Sequence, residues 1–156
     1  RSPTCTELDK ETATKLAAIA GIVDVEAYAK EMFMAGSELG NKTEKEIHNL
    51  DFKKFTAGDT TFGVGQVSSM SGEELQALKP RMEAYMKDSF SEHGADMLFF
   101  MLTDIMDEST DLIYCGEGAE AAVNTAFTSD APDRIYLIGV MSRKKQIVPQ
   151  LTEALK

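Results

Sequence analysis

Arg143, Lys144 and Lys145 are three consecutive cations in the stretch Ser142-Arg143-Lys144-Lys145-Gln146, which follows the apolar run 135–141 and precedes a segment with Pro149 near its start. Such side chains grip anions: a guanidinium takes two phosphate oxygens at once, and an ammonium acts as a compact point charge. With 134–141 read as a buried strand, the cations fall at its carboxyl end. Ligands bind there in open α/β sheets, and the N-terminus of a following helix offers unpaired N–H groups. A di- or polyphosphate suits this grouping better than a lone carboxylate. Spacing alone equally allows a solvated loop that keeps an acidic chain soluble.

The charge distribution sharpens the choice. The 156 residues carry 16 Lys+Arg against 26 Asp+Glu, a net charge of −10. From residue 134 onward, however, Arg134, Arg143, Lys144, Lys145 and Lys156 face only Glu153. The acidic average argues against a nucleic-acid partner, and the basic tail segment is where a small anion would bind. No apolar run approaches the roughly 20 residues of a membrane helix, so no membrane partner is expected. Two cysteines, Cys5 and Cys115, make no disulfide scaffold, and a cytoplasmic setting is the expectation. The opening Arg1-Ser2-Pro3-Thr4 reads as a piece of loop from a longer protein.

Other chemistry-bearing residues read as structural. His48 and His93 are the only histidines and have no companion ligand at metal spacing; His93-Gly94 has the look of a helix end. Asp104, Asp107, Glu108 and Asp111 lack the ligand register of a calcium loop and are expected to form a polar turn. Cys115 lies in an apolar run and reads as a core thiol, and the nine Met residues read as core filler. No helix start follows Gly63 and Gly65 at phosphate-loop distance, so they mark a bulge or a close contact with the backbone.

The elements that must position the basic segment follow from periodicity. Thr6 caps a helix with Leu8, Thr12, Leu16, Ile19 and Ala20 at helical spacing, stopped by Gly21; Asp24 opens a second with Val25, Tyr28, Met32 and Ala35 on one face. Thr43 and Glu46 have capping-box spacing. Alternation through Phe55, Phe62, Val64, Gln66 and Ser68 around Gly58-Asp59-Thr60 predicts a hairpin. Ser71 caps a long helix to about residue 92, bent or restarted by Pro80. Residues 97–106, 112–115 and 134–141 are expected as buried strands, with a turn at 107–109 and helices over 117–127 and after 146. The expected fold class is α/β, a mixed sheet of about five strands flanked by helices, preceded by two helices and a linker.

The segments SRKKQIVPQLTEAL, NLDFKKF, GVGQV, MLFFMLTDIM and RSPTCT together resemble the C-terminal part of the manganese-dependent (family II) inorganic pyrophosphatases of the DHH phosphoesterase superfamily. The resemblance covers nearly the whole chain. It implies that residues 1–35 are the tail of a catalytic DHH domain, 36–50 a linker, and 51–156 the DHH-associated substrate-binding domain. It implies that Arg143, Lys144 and Lys53 bind pyrophosphate, with Ser142, Lys145 and Gln146 supporting them.

The resemblance further implies Mn2+, with Co2+ or Mg2+ as alternatives, held by an N-terminal DHH domain ahead of this chain. No ion is expected to be fully liganded here, and no complete catalytic set is expected, so the isolated chain should not hydrolyse pyrophosphate. The DHH domain is the implied partner, and dimerisation of the parent runs through it. Alternatives are a lobe of an exopolyphosphatase or another DHH-type phosphoesterase, or a non-catalytic phosphate-binding or interaction domain.

Overall fold

The computed structural model describes residues 5–36, 39–129, 131 and 134–156. The opening Arg1-Ser2-Pro3-Thr4 and the side chain of Ala35 lie outside the described residues.

Two helices come first. In α1 (Glu7–Ile19), Thr6 accepts from the Asp9 N–H while the Asp9 carboxylate returns to the Thr6 N–H at 2.8 Å, a reciprocal cap. Gly21 beyond its end has φ +71, the left-handed conformation that suits glycine. In α2 (Val25–Gly36), Asp24 accepts from the Ala27 N–H at 2.9 Å. Leu8, Leu16, Ile19, Val23, Tyr28 and Met32 are exposed on this pair.

After a single 3-10 turn (Leu39–Asn41), α3 (Glu44–Leu50) opens with the expected Thr43–Glu46 capping box. Although it lies in the stretch read as a linker, α3 buries Ile47 and His48 completely. The hairpin follows as β1 (Lys53–Ala57) and β2 (Thr60–Ser69). Next come α4 (Gly72–Asp88), β3 (Met97–Asp104), β4 (Ser109–Cys115), α5 (Ala119–Ala126), β5 (Ile135–Ile138) and α6 (Val148–Ala154).

The sheet is mixed, five strands in the order β1-β2-β3-β4-β5. Only β2 and β3 run parallel; the other three pairings are antiparallel. The carboxyl ends of β2, β3 and β5 consequently share one edge. Residues 97–103 are all buried, and 97–102 form an unbroken apolar run because helices cover both faces. Phe99 and Met101 pack with Phe62, Val64, Leu112, Val123, Ile147 and Leu151 on the α5/α6 face. Leu98, Phe100 and Leu102 pack with Ile47, Leu75, Leu78, Met82 and Met86 on the α3/α4 face.

Five expectations need correction. The stretch 134–141 is not a buried strand: β5 spans four residues at the sheet edge, and Ile138 is 63% exposed. An apolar run of that length reads alike at an edge and in a centre. The long helix stops at Asp88, where Ser89 turns its hydroxyl back to the Tyr85 carbonyl, and a 3-10 turn (Phe90–His93) takes over. Pro80 sits inside α4, on its exposed side, and does not mark the start of the helix, which lies at Gly72. The β3–β4 turn is 105–108, set by Asp104, whose Oδ1 accepts from the Met106 and Asp107 N–H groups, so Ser109 belongs to β4. Helix α5 starts at Ala119, after Gly118 in the left-handed region.

The glycines of β2 serve close packing. A Cβ on Gly63 would lie 2.4 Å from the Phe52 ring, and one on Gly65 would lie 2.4 Å from the Phe100 ring. Both aromatic rings come this close to the strand because these side chains are absent.

Candidate functional site

The basic segment is placed by a loop that crosses the sheet. After β5 the Gly139 N–H bonds the Glu108 carbonyl at 2.7 Å, and residues 140–142 then run over the α5/α6 face toward β1. A polar track on the sheet holds them. Thr110 Oγ1 donates to the Val140 carbonyl at 2.5 Å, Thr110 and Thr103 hydroxyls pair at 3.0 Å, and Gln66 Nε2 donates to the Met141 carbonyl at 3.1 Å. Three polar side chains in an otherwise apolar face are explained by this crossing chain, whose carbonyls need donors.

Gln146 closes the loop from the other side. Its Oε1 accepts from the Met141 and Ser142 N–H groups, both at 3.0 Å, and its Nε2 donates to the Gly139 carbonyl at 2.8 Å. Ser142 caps the next turn, its Oγ accepting from the Lys145 N–H at 3.2 Å. That turn is a π turn (Arg143–Ile147) that leads into α6. Pro149 offers no N–H to the carbonyl of Lys145, one turn back, which eases the widening by one residue.

Arg143 is 9% exposed. Its Nη2 donates to Asp51 Oδ1 at 2.7 Å, and its Nη1 donates to the Asp51 carbonyl and, at 3.3 Å, to the Val64 carbonyl. A guanidinium read as a free cation is therefore anchored at the α3–β1 junction. Lys53 lies two residues beyond Asp51 and pairs with Val64 in the β1–β2 register. Period-two alternation puts Lys53 with Phe55 and Ala57 on the α5/α6 face, the face of Arg143, and sends Lys54 to the other. Lys53, Lys144 and Lys145 are exposed, and none of their ammonium groups makes a hydrogen bond or ion pair with another described residue.

The structure brings Arg143 and Lys53 to one corner, with Lys144 and Lys145 on the same turn as Arg143. Ser142 and Gln146 hold the backbone that carries them. Asp51, Gln66, Thr103 and Thr110 were missed by spacing arguments. Asp51 was signalled only by its place two residues before Lys53, and the others only as polar positions in apolar strands.

The remaining candidates lie elsewhere. His48 and His93, 45 positions apart, have ring centroids 4.6 Å apart, inside a box completed by Phe52, Tyr85 and Phe100. Burial, followed by the nearby His93, pushes the His48 imidazole down to about 4. Burial pushes the half-buried Cys115 thiol up to about 11. Asp111 is buried and meets Lys79 at 3.1 Å and Arg134 at 3.0 Å. Among the described residues no three His, Cys, Asp or Glu side chains group to hold a metal ion. The donors among the described residues do not fit a manganese or cobalt centre: the two histidines face aromatic rings, and the buried carboxylate of Asp111 is taken by two cations. Among the described residues no helix is long and apolar enough to cross a membrane.

Known proteins resemble the chain along nearly its whole length. It is 44% identical over 157 residues to a Clostridium acetobutylicum protein named probable manganese-dependent inorganic pyrophosphatase, covering 100% of this chain and 50% of the relative. It is 42% identical over 153 residues to the cobalt-dependent inorganic pyrophosphatase of Clostridium perfringens, covering 98% of this chain and 28% of that protein. The crystal structure of a Methanococcus jannaschii protein named putative family II inorganic pyrophosphatase superposes with a TM-score of 0.77 at 38% identity, over 99% of this chain and 49% of that one. The chain thus spans about half the length, or less, of these relatives. The DHHA2 domain model matches residues 30–154, so the chain belongs to the DHHA2 domain family.

Proposed function

We propose that this chain is the substrate-binding lobe of a metal-dependent inorganic pyrophosphatase, which splits diphosphate with water into two phosphates. The observation that carries the proposal is the anchoring of Arg143 two residues from Lys53, on a turn that also presents Lys144 and Lys145. Pyrophosphate hydrolysis needs the charge on the transferred phosphoryl oxygens and on the leaving phosphate to be neutralised. Fixed cations meet that charge without reorganising. Arg143 is fixed by its three partners, and Lys53 starts a strand whose backbone is paired. Lys144 supplies a mobile charge from the same turn. Ser142, Lys145 and Gln146 set the backbone around them.

Manganese or cobalt, on which the relatives named above depend, would be held by residues outside this chain. We assign residues 1–35 to the tail of a DHH catalytic domain, 36–50 to a linker and 51–156 to the substrate-binding domain. The exposed apolar side chains of α1 and α2 suit a helix pair that packs against further chain. The parent would act in the cytoplasm, as a homodimer formed through the DHH domain; the two free cysteines suit a reducing compartment.

The test is a substrate comparison. The longer protein carrying this chain, loaded with Mn2+, is assayed on pyrophosphate, tripolyphosphate and a phosphate monoester. Preference for pyrophosphate supports the reading. Equal or greater turnover of tripolyphosphate makes the protein a polyphosphatase, and absence of turnover on all three makes the lobe non-catalytic.

A further inference from the structure

A guanidinium has two edges that can each make a paired contact, and in Arg143 one of them is already occupied. Nη1 and Nη2 together form the end-on edge, and both point to Asp51, one to its carbonyl and one to its carboxylate at 2.7 Å. The second N–H of Nη1 goes to the Val64 carbonyl at 3.3 Å. Three of the five donors are used. The two that remain, Nε–H and the second Nη2–H, are parallel and make up the side-on edge. Among the described residues neither has a partner. Nε is not enclosed either, since among the described residues the fully buried side-chain atoms without partners are the ring nitrogens of His48 and Ser109 Oγ.

We propose that Asp51 is a positioning residue for pyrophosphate: it locks the end-on edge of Arg143 so that the side-on edge is presented as a ready two-pronged phosphate grip. The proposal rests on the reading of the basic segment as the pyrophosphate site. Asp51 suits the task because it is itself fixed. Its neighbour Phe52 has its ring centroid 4.6 Å from that of the buried His48 and lies over Gly63, and Lys53 beyond it enters the sheet opposite Val64. One residue therefore sets the spacing between Arg143 and Lys53, the two groups that reach the substrate from different elements. Without the Asp51 carboxylate the guanidinium would keep its charge and lose its direction, and a misdirected clamp binds a bidentate anion poorly.

The test is a double-mutant cycle on pyrophosphate hydrolysis by the longer enzyme, at matched metal content. Asp51→Ala should lower kcat/KM by roughly ten- to a hundredfold. Asp51→Asn, whose amide oxygen can still accept from Nη2, should keep most of the activity and also serves if the Ala variant fails to fold. With Arg143→Ala already present, neither Asp51 substitution should change kcat/KM further. An equal loss from Asp51→Ala in both backgrounds would mean that Asp51 acts on the fold or on another group, which overturns the proposal. Full activity of Asp51→Ala beside an impaired Arg143→Ala overturns it too, and leaves the pyrophosphate site standing. Full activity of Arg143→Ala removes both.

Discussion

The Asp51 carboxylate accepts from Nη2 of Arg143 at 2.7 Å across 92 positions of sequence, joining the entry of the first strand to the turn that precedes the last helix. The arginine is 10% exposed at its side chain and the aspartate 49%, so the pair closes a seam from the solvent side. Its immediate consequence is that charge alone cannot replace the guanidinium. Arg143→Lys keeps the cation but has one ammonium for the Asp51 carboxylate, the Asp51 and Val64 carbonyls and any phosphate. Pyrophosphate affinity of the longer enzyme, measured by titration with hydrolysis suppressed, should fall in Arg143→Lys nearly as far as in Arg143→Ala. An affinity within about twofold of the parent in the lysine variant would show that only charge matters there.

The His48 imidazole, pushed down to about 4, makes stability depend on pH with a definite sign. Between about 6.5 and about 4 the unfolded chain takes up a proton that the folded chain refuses. The contribution is complete above about 6.5 and is lost as pH falls toward 4, to a total of about 3 kcal/mol. The groups around it are His93, Phe52, Tyr85 and Phe100, with Lys45, Lys54 and Glu92 acting on His93. His93 is also lowered, chiefly by burial, and adds in the same direction. Urea unfolding from pH 5 to 7 should show stability rising with pH, and His48→Leu should flatten most of that rise.

Gly65→Ala should destabilise by about 1–3 kcal/mol through overpacking. The new methyl would meet the Phe100 ring at 2.4 Å, and that ring is fully buried and cannot swing away. Gly40→Ala is the control, since nothing lies within 4 Å of a Cβ there. Thermal melting of the two variants compares them directly.

Gln146→Ala should cost about 2 kcal/mol by removing three hydrogen bonds to the crossing loop. The effect should be local first. Amide hydrogen exchange at Met141 and Ser142, whose N–H groups Gln146 accepts, should quicken far more than exchange at Phe99 and Phe100 in the central strand.

Cys115 should be slow to alkylate. Burial holds its thiol up to about 11, with Sγ facing the Met86 carbonyl at 3.7 Å, whereas Cys5 is exposed. Iodoacetamide labelling at pH 8 followed by peptide mass spectrometry should find Cys5 modified well before Cys115.

Much of the scaffold is local chemistry and could be read from neighbouring residues. Thr43 and Glu46 cap α3 because the two bonds close within four residues, and Ser71 caps α4 by a single local bond from the Glu74 N–H to its hydroxyl. The turn at Gly58-Asp59 and the apolar run of β3 are likewise visible in the string. What lay beyond reach was contact between distant positions. Charge type marks Arg143 as a surface residue until Asp51 and two carbonyls are placed around it. His48 and His93 look solitary until α3 and the end of α4 pack on the same sheet face. Apolar content cannot tell that β5 is a short edge strand, and no local signal marks the π turn. The basic segment was legible as a candidate anion grip, and the resemblance added Lys53. The polar track of Gln66, Thr103 and Thr110 that delivers the segment to β1 became visible only through the fold.

The proposed function requires that cations of this lobe hold pyrophosphate. The most direct measurement is steady-state hydrolysis by the longer enzyme with Lys53→Ala and Lys144→Ala, singly, at matched metal content and stability. Both lysines are exposed and neither has a described partner, so their removal should leave the fold and its melting temperature unchanged. Each substitution should lower kcat/KM for pyrophosphate by about tenfold or more, and the loss should shrink as salt is raised. Parent-like kcat/KM in both variants would contradict the proposed function.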